Sequence, residues 1–414
     1  MGGVQDVLIL LSFLLEVAVL FYFEMKAWKS VYTPLNFLML PYTVVLLITI
    51  AISGNWGFVD FYYPSILLWS VGLVIFAIPS YIYAYVLQKH KIPMESKIDE
   101  HRMPKLMVYI AILVILMFTV RLKSMLGGAY VLGSEEFGEE FCGVGFWGHL
   151  RQFLTPLLVI AIYFVDRKNK WLWLIILPTM VFLFLYLVKG WVIVPCIAGV
   201  ALRLLFGKTK LRLSLLLYIV VGALLVFLGT YILILSVSRD RELNSEIISF
   251  IFGHFLHYLT SGTLGLSCDA MAGYPDAGTF DNLWIPIINI TKVISGDNDM
   301  MSPINIYYYN TGSSLTNVRT FFGTIYIYSN ALEFFVYIMI SSSLMYFLKM
   351  ATIKWKNIYV YTIYFFECGL LAMGWFEFYF FHLPVLEVPA IVLLLWFIDW
   401  LIRAKYPKKI ETVE

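Results

Sequence analysis

Runs of apolar residues, each long enough to cross a membrane, follow one another along most of this chain. A helix needs about 20 mostly apolar residues to span the hydrocarbon core of a bilayer. Segments that meet this requirement are 5–24, 35–54, 64–87, 106–124, 148–165, 171–188, 191–206, 213–236, 325–348, 358–381 and 384–402. Only 14% of the 414 residues are charged, whereas a soluble domain averages about 25%. The sequence therefore predicts an all-α polytopic membrane protein with about 11 transmembrane helices.

The positions of Lys and Arg predict how these helices are oriented. Basic residues fall in alternate connections between the apolar segments, and 21 of the 29 lie on the same side. Cytoplasmic loops carry an excess of Lys and Arg, so this side is assigned to the cytoplasm. The N-terminus is then outside and the C-terminus inside. The first apolar segment is interpreted as a retained span, because it lacks the basic start and the cleavage site of a signal peptide.

This topology divides the chain into three regions. An N-terminal bundle, 1–236, holds about eight spans, and a C-terminal bundle, 325–414, holds about three spans and a cytoplasmic tail. Between them lies one large external loop, 237–324, which is rich in aromatic residues. Its stretch ISFIFGHFLHYLTSGTLGL, 248–266, predicts an amphipathic helix that lies in the membrane interface or dips into it.

Eight cations on the external side run against the bias of membrane proteins toward basic cytoplasmic loops. They are Arg121, Lys123, Arg151, Lys189, Arg239, Arg241, Lys292 and Arg319. We interpret Lys123, Arg151 and Lys292 as residues that reach the lipid headgroups or pair with neighbouring acids.

The other five external cations are candidates for holding an anionic substrate. Arg239 and Arg241 directly follow a span, although the acids interleaved with them leave local pairing open. Lys189 is at the tip of a tight hairpin between two spans, and Arg121 is near the outer end of another. Arg319 precedes a span, among hydroxyl and amide side chains. Because charge-assisted contacts to phosphate groups are strong, several cations at one membrane face suit a pyrophosphate.

Two histidines in the external loop are candidates for acid–base chemistry. His254 and His257 share one face of the predicted amphipathic helix. An imidazole there could accept a proton from an attacking hydroxyl near neutral pH. Tyr258 and the tyrosine-rich run 306–310 are interpreted first as interfacial belt residues, and alternatively as stacking surfaces for a sugar.

Several function classes are disfavoured by missing motifs. The chain has no Walker loop, HExxH or GxSxG sequence and no carboxylate-rich metal cluster. Its four cysteines lack the spacing of a metal site. We therefore expect no cofactor and no metal, and no long basic run suggests a nucleic acid partner.

Two stretches and the overall layout carry a resemblance to a known family. HFLHYLTSGTLGL, 254–266, and SLTNVRTFFGTIYIYSN, 314–330, resemble the outer-loop helix and the span entry of the Wzy-type polymerases of oligosaccharide repeat units. The turn at Lys189-Gly190 falls where that family often has a basic residue beside Gly or Ser. Nearly the whole chain is similar to the family in layout, with one dominant outer loop before the last three spans.

The resemblance implies a reaction at the outer face of the bacterial cytoplasmic (inner) membrane. A growing glycan on undecaprenyl pyrophosphate would be moved onto a new lipid-linked repeat unit, making O-antigen or capsular polysaccharide. It also implies a Wzz-type co-polymerase that regulates chain length, and a flippase, as partners. The expected catalytic residues are His257, His254, Arg239 and Arg319. The expected substrate-binding residues are Arg121, Lys189, Arg241, Tyr258 and Asn317.

Three other functions stay open at this stage, and one of them is a non-catalytic subunit of a membrane assembly. A related glycan ligase would use the same donor and a similar loop. A flippase or transporter of lipid-linked sugar would have charges in mid-membrane and inverted repeats. Charges do occur inside predicted spans, at Glu16, Glu333, Glu367 and Asp399, but no internal repeat pairs them.

Overall fold

The computed structural model describes residues 3–405 except 93, 95–96, 99, 129, 213, 215–216, 218–220, 223, 231–244, 276–277 and 313. This part of the chain is almost entirely helical, and its one sheet is a two-stranded hairpin. The chain forms two compact units. Unit 1 comprises Met1–Glu95, Glu242–Lys354 and Glu367–Val385. Unit 2 comprises Ser96–Arg241, Trp355–Phe366 and Leu386–Glu414.

The helices that the described residues form are numbered in chain order. The earlier ones are α1 Val4–Trp28, α2 Pro34–Ile52, α3 Ile66–Lys89, α4 Lys105–Leu126, α5 Glu135–Cys142, α6 Gly145–Gln152, α7 Leu154–Phe164, α8 Trp173–Leu185 and α9 Gly190–Leu205. The later ones are α10 Ser245–Ala272, α11 Ile285–Ser295, α12 Phe321–Ile327, α13 Ala331–Trp355, α14 Ile358–Ala372 and α15 Pro384–Lys405. The hairpin pairs β1, Tyr309–Asn310, with β2, Leu315–Thr316, in antiparallel fashion.

Six helices among the described residues are long and apolar enough to cross a membrane. They are α1, α2, α3 with its preceding turn, α4, α13 and α15, and each corresponds to one of the predicted spans. Three further predicted spans are matched by the shorter apolar helices α8, α9 and α14. The predicted span 148–165 is divided between α6 and α7, and 213–236 lies partly outside the described residues. The all-α membrane architecture is confirmed, and the number of eleven spans stays a prediction.

The core of unit 1 joins α2 and α3 to the start of α12. The indole of Trp69 on α3 stacks on the ring of Tyr42 on α2, with 3.4 Å between ring centroids. Its Nε1 donates to Oγ1 of Thr320 at 2.9 Å. Thr320 is the N-cap residue of α12, and its Oγ1 also accepts from the backbone N–H of Gly323 at 3.3 Å. The segment before α12 is therefore held in place by buried side chains.

Helix α10 differs from the predicted amphipathic helix of the interface. Every residue from 260 to 269 is buried, so protein encloses this half of α10 on all sides. A Cβ at Gly262 would collide with the backbone carbonyls of Trp375 and Phe376, and one at Gly265 would lie 2.6 Å from the carbonyl oxygen of Val318. Small residues thus let two backbone segments approach α10 closely, and α10 is a core helix of unit 1.

Unit 2 is organised around the packing of α7 against α9. A Cβ at Gly199 on α9 would lie 2.8 Å from the side chain of Ile162, so only glycine allows this approach. The guanidinium of Arg203 on α9 donates to the carbonyl oxygens of Ile162 at 2.8 Å, Tyr163 at 3.2 Å and Val165. These bonds satisfy carbonyl groups that the end of α7 leaves without a partner in the helix. Arg203 therefore fastens α9 to the end of α7.

Candidate functional site

A buried ion pair connects α10 to the segment before α12. The Arg319 guanidinium donates to the Asp269 carboxylate through Nε at 2.8 Å and through Nη2 at 3.1 Å, and both side chains are fully buried. A third donor, Nη1, bonds the carbonyl oxygen of Tyr307 at 2.7 Å. The guanidinium carbon lies 5.0 Å from the centre of the Tyr309 ring. Arg319 thereby holds the tyrosine-rich run 306–310 against the C-terminal half of α10.

His257 connects the same segment to the middle of α10. Its Nδ1 lies 3.4 Å from Oγ1 of Thr311, whose hydroxyl donates to the carbonyl oxygen of Ser314 at 2.9 Å. The imidazole is only 7% exposed. Burial, with His254 close by, lowers the pKa of His257 from its ordinary value of 6.5 to about 4, although a hydrogen bond with the Leu315 backbone opposes the change. His257 is therefore neutral at pH 7, and its lowered pKa makes it a weaker base than an ordinary histidine.

The predicted neighbours of His257 do lie beside it. The ring centroids of His254 and His257 are 5.8 Å apart, which agrees with the shared helix face. Tyr258 lies 5.7 Å from His254 and stacks on Phe376 at 6.0 Å. The phenol ring of Tyr258 is thus held by aromatic contacts. Helix propensity alone could not predict the contact with Phe376, which is distant in sequence.

Asn317, which follows the hairpin, forms hydrogen bonds with residues that precede the hairpin. Its Nδ2 donates to the carbonyl oxygen of Asn305 at 3.1 Å and to the hydroxyl of Tyr308 at 3.3 Å. The rings of Tyr307 and Tyr308 remain 37% and 59% exposed. Asn317 therefore orients the exposed side chain of Tyr308.

The cluster is elongated. His257 and Asp269 are twelve residues apart on α10, which corresponds to about 18 Å along a helix. The two contacts that fix the segment 305–319 to α10, through Thr311 and through Arg319, are therefore far apart. His257 and Arg319 cannot both act on one small group, and the arrangement suits an extended ligand better than a compact one.

The remaining predicted site residues lie elsewhere. Arg239 and Arg241 lie outside the described residues. Arg121, in unit 2, donates through Nη2 to the carboxylate of Glu140 at 2.7 Å. Lys189, also in unit 2, has its Nζ 5.0 Å from the centre of the Phe227 ring. Arg121 and Arg319 thus each have a carboxylate of their own, and neither is poised as an unpaired cation.

Sequence reasoning named Asp269 only as one of many external acids that could be a general base, and it did not name Thr311. A carboxylate inside the apolar stretch GLSCDAMA was the available signal for Asp269, because a buried acid usually has a cationic partner. Nothing local marked Thr311, which depends on the hairpin of β1 and β2 for its position. Among the described residues, no group of three or more His, Cys, Asp or Glu side chains could hold a metal ion.

These features define an all-α membrane protein whose unit 1 encloses a polar and aromatic cluster. The sequence matches the model of one protein family over residues 57–405. Its description is a family of unknown function (DUF6337), and since the match covers most of the chain, the protein belongs to this family. The chain matches no curated protein and no solved structure.

Proposed function

We propose that the protein is a membrane glycosyltransferase that polymerises oligosaccharide repeat units carried on undecaprenyl pyrophosphate. The product is O-antigen or capsular polysaccharide, made at the outer face of the bacterial cytoplasmic membrane. The proposal includes about eleven spans, an external N-terminus and a cytoplasmic C-terminus, on the strength of the Lys and Arg distribution. The observation that carries it is the elongated cluster that His257 and Tyr258 on α10 form with Asn317 and the exposed tyrosines of the run 306–310.

The aromatic part of the cluster suits a glycan. Tyr307 and Tyr308 expose ring faces that can stack on a sugar, while their hydroxyls can exchange hydrogen bonds with it. Asn317 fixes Tyr308, and Arg319 fixes the backbone of Tyr307. In this proposal Arg319 is a positioning residue, because its donors are already used within the protein.

The chemical step needs a base and a leaving group. The acceptor hydroxyl oxygen attacks the anomeric carbon of the donor glycan, and the bond from this carbon to the diphosphate oxygen breaks. His257 takes the hydroxyl proton, with His254 as the second candidate. The electron pair leaves with undecaprenyl pyrophosphate, so no metal or cofactor is required by the balance. The binding of this anion by Arg239, Arg241, Arg121 and Lys189 stays an expectation from the sequence, and Arg121 already pairs with Glu140.

A deletion of the gene in the native host tests the proposal. Surface glycan is separated on a gel and detected by its sugar. A single repeat unit on the lipid anchor supports the polymerase. Loss of all surface glycan would instead indicate a flippase, and long chains that accumulate without transfer would indicate a ligase.

Complementation of the deletion strain tests the role of His257. We expect His257→Gln to give single repeat units at normal membrane abundance of the protein. His90→Gln, which changes an exposed histidine at the end of α3, is the matched control and should restore long chains. Long chains with His257→Gln would exclude His257 as the base.

A further inference from the structure

Unit 2 contains a buried arginine that lacks hydrogen-bond partners among the described residues. Arg151 lies in the last turn of α6 and is 6% exposed. Its Nη1 is a buried atom with no hydrogen-bond partner, and the guanidinium forms no hydrogen bond or ion pair with any part of the chain that the structure describes. A buried cation is ordinarily paired with an acid or hydrogen-bonded, because desolvation of an unpaired charge is costly. Arg151 is therefore buried in the protein and is not an exposed cation on its surface.

Arg151 is held in place by the turn between α8 and α9. Its guanidinium carbon lies 3.6 Å from the centre of the Tyr186 ring. Leu187 in the same turn has φ of 65°, a conformation that non-glycine residues rarely adopt. A Cβ at Gly138 on α5 would lie 3.2 Å from the carbonyl oxygen of Tyr186, so α5 packs directly on the turn. The guanidinium of Arg151 is thus packed against a turn that α5 holds in place.

Charges of both signs occur in the elements around Arg151, because α5 carries Glu136, Glu139 and Glu140. Lys189 belongs to the same turn as Tyr186, and burial lowers the pKa of its ammonium to about 8. The charge of Arg151 is close enough to Cys142 to favour the thiolate, although burial raises the pKa of this thiol to about 12. Arg121 on α4 is already paired with Glu140 on α5. A bound anion would supply the compensation that Arg151 lacks.

We propose that Arg151 is the centre of an anion-binding site in unit 2 that takes a phosphate group. The guanidinium lies over the Tyr186 ring with its Nη1 unpartnered, and the planar fork of donors that an arginine carries matches two phosphate oxygens. Such a group can come from an anionic phospholipid headgroup or from the diphosphate of a lipid-linked substrate. The site does not depend on the function proposed for unit 1.

Thermal unfolding of the full-length protein in a nonionic detergent tests this site. The probes are sodium pyrophosphate, compared with sodium chloride at equal ionic strength, and phosphatidylglycerol, compared with phosphatidylcholine in mixed micelles. We expect at least one phosphate probe to raise the unfolding temperature of the wild type, because a ligand that binds only the folded state stabilises it. A response to pyrophosphate identifies a diphosphate site, and a response to phosphatidylglycerol alone identifies a headgroup site.

Three variants assign the effect to Arg151. Arg151→Met should weaken the apparent affinity for the active probe about tenfold to a hundredfold. It should also unfold at a temperature no lower than wild type without the probe, because it removes an unpaired buried charge. Lys123→Met, which removes an exposed cation from α4, should keep the wild-type response. Arg151→Lys keeps the charge without the fork and should bind more weakly than wild type.

Two results would overturn the proposal. One is the absence of any response to both phosphate probes in the wild type. The other is an unchanged response in Arg151→Met or, if this variant does not fold, in Arg151→Lys.

Discussion

Units 1 and 2 each bury an arginine against a tyrosine ring, but the two arginines differ in their hydrogen-bond and ion-pair partners. Arg319 in unit 1 uses three donors, two on Asp269 and one on Tyr307. Arg151 in unit 2 uses none on the described residues. The described residues satisfy the charge of Arg319, and they provide no hydrogen bond or ion pair for Arg151.

The comparison separates two roles that the sequence could not distinguish. Both residues are cations near the end of an apolar segment. A fully bonded arginine contributes to the architecture, and removing its partner leaves an uncompensated charge. An arginine that is buried without partners destabilises the fold unless a ligand binds it. The predicted signs of their substitutions are therefore opposite.

The largest expected effect is at the satisfied arginine. Arg319→Met leaves the Asp269 carboxylate buried without its partner and should lower the free energy of unfolding by about 3–5 kcal/mol. Denaturant or thermal unfolding of the purified protein measures the loss. The double variant Arg319→Met with Asp269→Leu removes both charges and should regain most of the stability. If the single variant is as stable as Arg151→Met, the contrast between the two arginines fails.

The difference between the arginines also shows what the sequence could provide. Apolar runs predicted the six long helices, because the length that spans a bilayer is a local property. The acid that pairs with Arg319 is 50 residues earlier in the chain, so no local pattern indicated it. The burial of α10 was missed for the same reason, since the carbonyls that cover Gly262 belong to residues 375–376.

The next largest effect is the pH dependence of stability that comes from His257, which is buried and neutral at pH 7. The pKa of His257 is about 4 in the folded protein and 6.5 for an ordinary histidine. Below pH 6.5 the unfolded chain therefore binds a proton that the folded protein does not bind. Stability from this residue is complete above pH 6.5 and is lost as the pH falls toward 4, by about 2 kcal/mol at pH 5.

Unfolding measured from pH 7 to pH 4 tests this dependence. In His257→Gln, the free energy of unfolding should decrease less between pH 7 and pH 4 than in the wild type. In His254→Gln most of the decrease should remain, because burial of His257 is the main cause of its lowered pKa. An equally steep decrease in His257→Gln would show that another group is responsible.

A smaller effect is expected where the backbone, rather than a charge, holds α10. Gly262→Ala places a Cβ against the carbonyls of residues 375–376 and should cost about 1–3 kcal/mol. Gly253 lies on the same helix, and a Cβ added there would have no atom within 4 Å. Gly253→Ala should therefore be neutral or stabilise the protein by up to about 1 kcal/mol. Equal effects at both positions would contradict the close packing of α10.

The smallest effect is expected at the arginine whose partner is exposed. Arg121 pairs with Glu140 at 2.7 Å, but the Arg121 side chain is 22% exposed and that of Glu140 is 44% exposed. Water screens such a pair, so Glu140→Gln should change the free energy of unfolding by only about 0.2–1 kcal/mol. The loss should shrink further in high salt, whereas the loss from Arg319→Met should not, because the Asp269 pair is shielded from solvent. A similar salt dependence for both variants would mean that the Arg319–Asp269 pair is not buried. Arg319 could then no longer serve as the buried, paired arginine with which Arg151 is compared.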